Sequence, residues 1–193
     1  MADAASFDKA WRAVTEEPPA AHHLKYLLPH RWVRFYSLPN GKRYATSEAE
    51  RHEVLGRAQR LIEYVCQNDV NLLVATAVGG PSGQQPLLPD AQRAVHTHPS
   101  YWCEVRPDGD DDEEDWPLHL WGSWERKGSA VLGDLISHAS EFEIFGALIV
   151  GPVGGVAIHP YDGGTDVFTA NTSDRDLVRA TFEAWASPRA DGL

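Results

Sequence analysis

Between Val70 and Val78 the chain carries a nearly continuous apolar run of strand length, the pattern of a strand buried on both faces at the centre of a sheet. The elements around it are read from their periodicity. Ser6 caps a short helix over 6–16, with Phe7, Trp11 and Val14 on one side and Pro18-Pro19 beyond its end. Arg31 to Tyr36 alternates polar and apolar residues, as a strand with one wet face does. Ser47 and Glu50 form a capping box for a helix over about 47–66, whose apolar face carries Val54, Leu55, Ala58, Leu61, Ile62 and Val65.

Further strands are expected at 101–106, 118–124, within 144–150, at 156–159 and at about 166–170, with a helix around 131–136. Thr172 or Ser173 caps a last helix, with Leu177, Val178, Thr181, Phe182 and Trp185 on one side. This order of elements predicts an α+β fold: a single domain with a mostly antiparallel sheet packed by two to four helices. Residues 1–29 form an N-terminal helix and loop, and residues 30–190 the α+β domain.

The formal charge of −11 is unevenly placed. The run Asp108-Gly109-Asp110-Asp111-Asp112-Glu113-Glu114-Asp115 carries seven carboxylates, whereas residues 25–60 hold eight Lys or Arg against three acids. Dense negative charge speeds association with a basic protein and repels nucleic acid. No apolar run approaches the roughly 18 to 20 residues that span a bilayer, and the N-terminus lacks a basic and apolar leader, so a cytoplasmic location away from membranes is expected. Cys66 and Cys103 pair only if the fold brings them together, and two buried free thiols are the simpler reading.

Two dense motifs carry the chemistry. Ser37-Leu38-Pro39-Asn40-Gly41-Lys42-Arg43-Tyr44 places two cations and a phenol after a turn and just before a helix N-terminus, where Lys42, Arg43 and Tyr44 can bind an anion. His159-Pro160-Tyr161-Asp162-Gly163-Gly164-Thr165-Asp166 combines an imidazole, a phenol and two carboxylates with a tight turn. There His159, Asp162 and Asp166 are candidates for a general base and its orienting pair, with Tyr161 as a ligand contact. The same residues also serve as hairpin chemistry, and Arg43 with Asp162 or Asp166 as a buried pair that fixes sheet register. His96-x-His98 puts two imidazoles on one side of an extended segment, but no zinc-type spacing accompanies them, and neither a nucleophile elbow nor a phosphate loop is present. No metal or cofactor is implied.

The residues Leu38, Pro39, Lys42, Arg43 and Tyr44, followed by His159-Pro160-Tyr161-Asp162-Gly163-Gly164 and Asp166, resemble a family of uncharacterised bacterial proteins. Its marks are an early Leu-Pro-x-x-Lys-Arg-Tyr and a late His-Pro-Tyr-Asp-Gly-Gly. The strand Trp32 to Ser37 and the ending Ala184-Trp185-Ala186-Ser187 are similar too, so the resemblance covers roughly 30–190. It departs at Asn40-Gly41 and Thr165, and the acidic run looks particular to this member. The resemblance implies a domain and marked residues, with no assigned activity.

Two functional expectations follow. The first is a non-enzymatic acidic protein-binding module, immunity-like or inhibitor-like, that meets a basic partner through Asp110, Asp111, Asp112, Glu113 and Glu114. The second is a small enzyme or anionic-ligand sensor in which Lys42, Arg43 and Tyr44 hold an anion while His159, Asp162 and Asp166 move or orient a proton. It requires the two motifs to meet in space.

Overall fold

The computed structural model describes residues 4–106 and 116–189; the expected partner surface at Asp110, Asp111, Asp112, Glu113 and Glu114 lies outside them. Among the described residues seven strands form one antiparallel sheet: β1 (Trp32–Tyr36), β2 (Asn71–Gly79), β3 (Ser100–Val105), β4 (Leu118–Arg126), β5 (Leu148–Gly151), β6 (Val156–Tyr161) and β7 (Gly164–Phe168). Their spatial order is β1-β7-β6-β5-β2-β4-β3. The helices are α1 (Ala4–Arg12), α2 (Leu24–Leu27), α3 (Glu48–Val65), α4 (Asp90–Ala94), α5 (Ala130–Ser140) and α6 (Thr172–Thr181). α1, α3, α5 and α6 run two turns or more, and α2 and α4 about one. This is the α+β architecture expected, and no helix is long and apolar enough to cross a membrane among the described residues.

The apolar run in β2 has the reason its pattern implies. Leu72 and Val74 face a core closed by Ala58, Leu61 and Ile62 of α3, Leu132, Leu135 and Ile136 of α5, and Val178 of α6. Leu73, Ala75 and Ala77 point the other way, into a second core with Phe7 and Trp11 of α1, Leu24 of α2 and Trp102 of β3. Both faces of the sheet are therefore covered, and the wet face expected for β1 is half-buried, with Trp32 packed on the second core. The outer edge of β1 is capped by a bridge from Phe35 to Ala186 and by the Ser187 N–H on Arg34 O, which protects an otherwise open edge.

Several local expectations are refined. Ser47 does cap α3, accepting from the Glu50 N–H, but the Glu50 carboxylate turns to Lys42 and Thr46 and leaves the box half-formed. The cap of α6 is Asn171, whose side chain accepts from the Asp174 N–H, in place of Thr172 or Ser173. Only Val178 of that helix is buried; Leu177 and Thr181 face solvent, because Phe182 and Trp185 sit in the turn that follows. Both cysteines are free thiols, Cys66 buried and Cys103 partly so.

One consequence of antiparallel pairing organises the rest. Tyr36 at the end of β1 lies opposite Gly164 at the start of β7, and Gly164 is also the partner of Tyr161 at the end of β6. The start of β5 at Leu148 pairs with Ala75, toward the far end of β2, and that far end, Gly79, pairs with Leu118 at the start of β4. Both sequence motifs, the 142–147 connection, and the residues Arg106 and Trp116 flanking the acidic run therefore leave the sheet at the same end.

Candidate functional site

The second motif is a two-residue hairpin. Tyr161 pairs with Gly164 across Asp162-Gly163, and Gly163 takes φ +91°, a conformation that disfavours a side chain. A Cβ on Gly163 would stand 3.2 Å from Arg43 Cγ, and one on Gly164 2.7 Å from the Tyr161 hydroxyl. Gly163 thus lets the first motif lie directly against the turn, and Gly164 leaves room for the Tyr161 hydroxyl. That first motif reverses direction through Pro39-Asn40-Gly41, where Asn40 (φ +59°) and Gly41 (φ +68°) are both left-handed.

The two motifs meet, as the second functional expectation required. Asp162 Oδ2 accepts from Arg43 Nε and from the Tyr44 hydroxyl, the latter at 2.8 Å. Arg43 is exposed along most of its side chain, whereas Asp162 is buried. The carboxylate therefore takes these partners instead of the Asx-turn bonds its position would allow. Lys42 points elsewhere: its Nζ lies 2.6 and 2.7 Å from the two Glu50 oxygens and holds the Glu50 carboxyl down at about 2.

Asp166 is committed as well. It lies directly opposite Arg34 on β1, receives Arg34 Nε at 3.1 Å and the Tyr161 hydroxyl at 3.2 Å, and is 2% exposed. Burial works against the Arg34 charge, but the neighbouring Asp166 outweighs it and raises the guanidinium above its ordinary value. Burial first, and Asp166 second, push the Tyr161 phenol well above its usual range. Each cation and carboxylate of the two motifs is thus held in an internal ion pair.

His159 is arranged differently from the expected base with a carboxylate behind it. Its Nδ1 is 2.7 Å from Ala147 O, and since a carbonyl only accepts, Nδ1 carries the ring proton and Nε2 is left a bare acceptor. Burial lowers the His159 pKa, with Arg34 and Lys25 adding to it and Asp166 opposing, so the ring is neutral near pH 7.

His159, Tyr161 and Asp162 line a cavity of roughly 170 Å³. It exists because β5 begins at Leu148, so Pro160 and Tyr161 at the end of β6 have no β5 partner. Pro160, with no N–H to offer, is well suited to that unpaired side. The opposite wall comes from Ile144, Phe145 and Gly146 of the α5–β5 connection and from His22 before α2. The His22 ring lies tilted against Phe145, centroids 5.2 Å apart; burial, then His23, His159 and Lys25, bring its pKa down to about 4. The buried His22 Nδ1 has no hydrogen-bond partner among the described residues. Phe142 and Phe145 stand at the mouth, 64% and 41% exposed, and Phe142 holds φ +59°, a strained setting for an aromatic residue.

The sequence did not signal His22, Phe142 or Phe145 as site residues. His22 stands in a His22-His23 doublet whose cavity neighbours Phe145 and His159 lie more than a hundred residues away. The His96-x-His98 pair resolves into something else: His98 is exposed, while buried His96 joins a polar chain inside the sheet. The Ser123 hydroxyl donates to Glu125 Oε1 at 2.6 Å and therefore accepts from His96 Nδ1 at 2.8 Å, leaving His96 Nε2 to accept from Thr76 at 3.0 Å. Glu125 also receives the Thr97 N–H and hydroxyl. The serine's proton points to Glu125 and the histidine's to the serine, a direction suited to cross-bracing β2 and β4 and opposite to that of a nucleophile–base pair. Among the described residues no group of three or more His, Cys, Asp or Glu is placed to hold a metal ion.

No curated protein and no solved structure gives a match to this chain. The family model for a domain of unknown function, DUF3885, matches residues 20–190, which includes both motifs, the cavity and every strand of the sheet. The chain accordingly belongs to the DUF3885 family.

Proposed function

We propose that this chain is a non-enzymatic recognition module of the cytoplasm whose binding site is the aromatic-mouthed cavity at the motif end of the sheet. The observation that carries this reading is how the charges are disposed. Lys42–Glu50, Arg43–Asp162 and Arg34–Asp166 are each paired, so the motifs spend their charges on building a wall, although Arg43 keeps most of its side chain in solvent. Behind that wall sits a neutral, buried His159, and in front stand two exposed phenylalanines. Rigid aromatic residues around a depression are a recurrent form of binding hot spot, and the strained Phe142 backbone fits a residue kept exposed for contact.

A basic protein partner suits the same end of the molecule. Arg106 and Trp116, which flank the seven carboxylates of 108–115, leave β3 and β4 beside the cavity's end of the sheet. A dense run of negative charge raises the rate of encounter with a basic protein in a salt-dependent way.

Mapping a fragment library onto the ¹⁵N-labelled chain by amide chemical shifts tests the site. Shifts are expected to cluster at 142–147 and 159–163, and to vanish in Phe145→Ser. Shifts concentrated on any other face would remove the cavity from the reading.

A further inference from the structure

We infer that the cavity selects a single uncharged ring bearing an N–H or O–H donor, a phenol- or indole-type group, which it seats by donation to His159 Nε2. This deepens the proposed function and rests on it. Size comes first: about 170 Å³ is well below the roughly 300 to 1,000 Å³ of pockets for whole metabolites, and suits one ring. Chemistry comes second. The walls supplied by Ile144, Phe145 and Pro160 are apolar, and His159 is buried with its Nδ1 proton already spent on Ala147 O. What this residue still offers a ligand is one acceptor nitrogen, Nε2, beside those apolar walls. His22 adds its ring to the lining, while its orphaned Nδ1 is buried away from the cavity space.

Charge comes third and favours neither sign. An anion would find neutral imidazoles and the buried Asp162 carboxylate in the cavity wall, with Arg34 paired to Asp166. A cation would find Asp162 Oδ2 already taken by Arg43 and Tyr44, with Lys25 close enough to depress both histidines. Neutral donors alone meet a complementary surface.

The test is a set of four rings of one shape, p-cresol, toluene, 4-methylbenzoate and 4-methylbenzylamine, titrated against the full chain at pH 7.5 by amide chemical shifts. p-Cresol is expected to bind at the cavity about tenfold more tightly than toluene, the worth of one hydrogen bond to a buried acceptor, with both charged rings weaker than toluene. His159→Phe should erase the preference for p-cresol. Because that variant disturbs a buried hydrogen bond, long-range imidazole ¹⁵N spectra of the unmodified chain give a second readout, in which p-cresol should shift the His159 Nε2 resonance. N-acetyl-tyrosinamide distinguishes the source: tighter binding than p-cresol assigns the site to a partner's side chain, and weaker binding to a free small molecule.

Toluene matching p-cresol, either charged ring exceeding it, or an unmoved Nε2 resonance would overturn the inference while leaving the cavity as the site. Rings that bind but shift amides on another face would overturn the proposed function itself, and a complete absence of binding by all four would overturn the inference.

Discussion

Arg34 and Asp166 offer the sharpest separation of architecture from recognition. They are directly opposed on β1 and β7, joined at 3.1 Å, with side chains 15% and 3% exposed. Arg34 also lies over the rings of Trp32 and Tyr161 at 5.5 and 5.3 Å, so it has no path to solvent that keeps its packing. Asp166→Ala strands that charge and removes the acceptor for Tyr161, which should cost about 3 to 5 kcal/mol. Replacing both residues by Leu removes the stranded charge along with the pair and should recover most of that loss, since buried ion pairs are commonly exchanged for apolar pairs at little net cost. Urea unfolding followed by tryptophan fluorescence and circular dichroism measures both variants, with an unchanged m value required for the comparison. A loss below about 1 kcal/mol for Asp166→Ala, or a double variant no more stable than the single, would refute the view that this pair pins the β1–β7 register.

Other outcomes follow from the same geometry. Buried His96 has a folded pKa of about 4, so stability is complete above its unfolded value near 6.5 and declines as pH falls from there toward 4, by about 3 kcal/mol; His96→Gln should flatten that slope in pH-dependent urea titrations. Gly146→Ala places a Cβ 2.6 Å from Ala77 Cβ at φ +63° and should cost about 2 to 4 kcal/mol, read as a fall of several degrees in Tm. Lys42→Ala removes the solvent-screened contacts to Glu50 and Thr46 and should leave the urea midpoint close to that of the unmodified chain, in contrast to Asp166→Ala.

Elements whose logic is local were legible in the sequence. β2 announced itself by its apolar run, α3 by Ser47 and its periodic face, and the β6–β7 turn by Gly163-Gly164, one residue beyond the Asp162-Gly163 pair that makes it. The one-turn helices α2 and α4 were not, because so short a helix has no periodicity to detect and is held by tertiary contacts. At the site, the motif residues were found and their meeting was posed as a condition, but the partners were only partly foreseen. Arg43 with Asp162 was among the pairings considered; Arg34 with Asp166 and Lys42 with Glu50 depend on strand register and a helix entry angle that spacing does not encode. The cavity was invisible for a similar reason. It arises from the short length of β5 and from three chain segments, 22, 142–147 and 159–162, that only the folded sheet brings together.

The most direct measurement is a crystal structure of the chain grown with p-cresol. The account predicts the ring inside the cavity with its hydroxyl on His159 Nε2, and the pairs Arg43–Asp162 and Arg34–Asp166 intact beside it. A ring bound elsewhere, or a cavity that admits it only by breaking those pairs, would contradict the claim that the two motifs build a rigid wall for a neutral ligand.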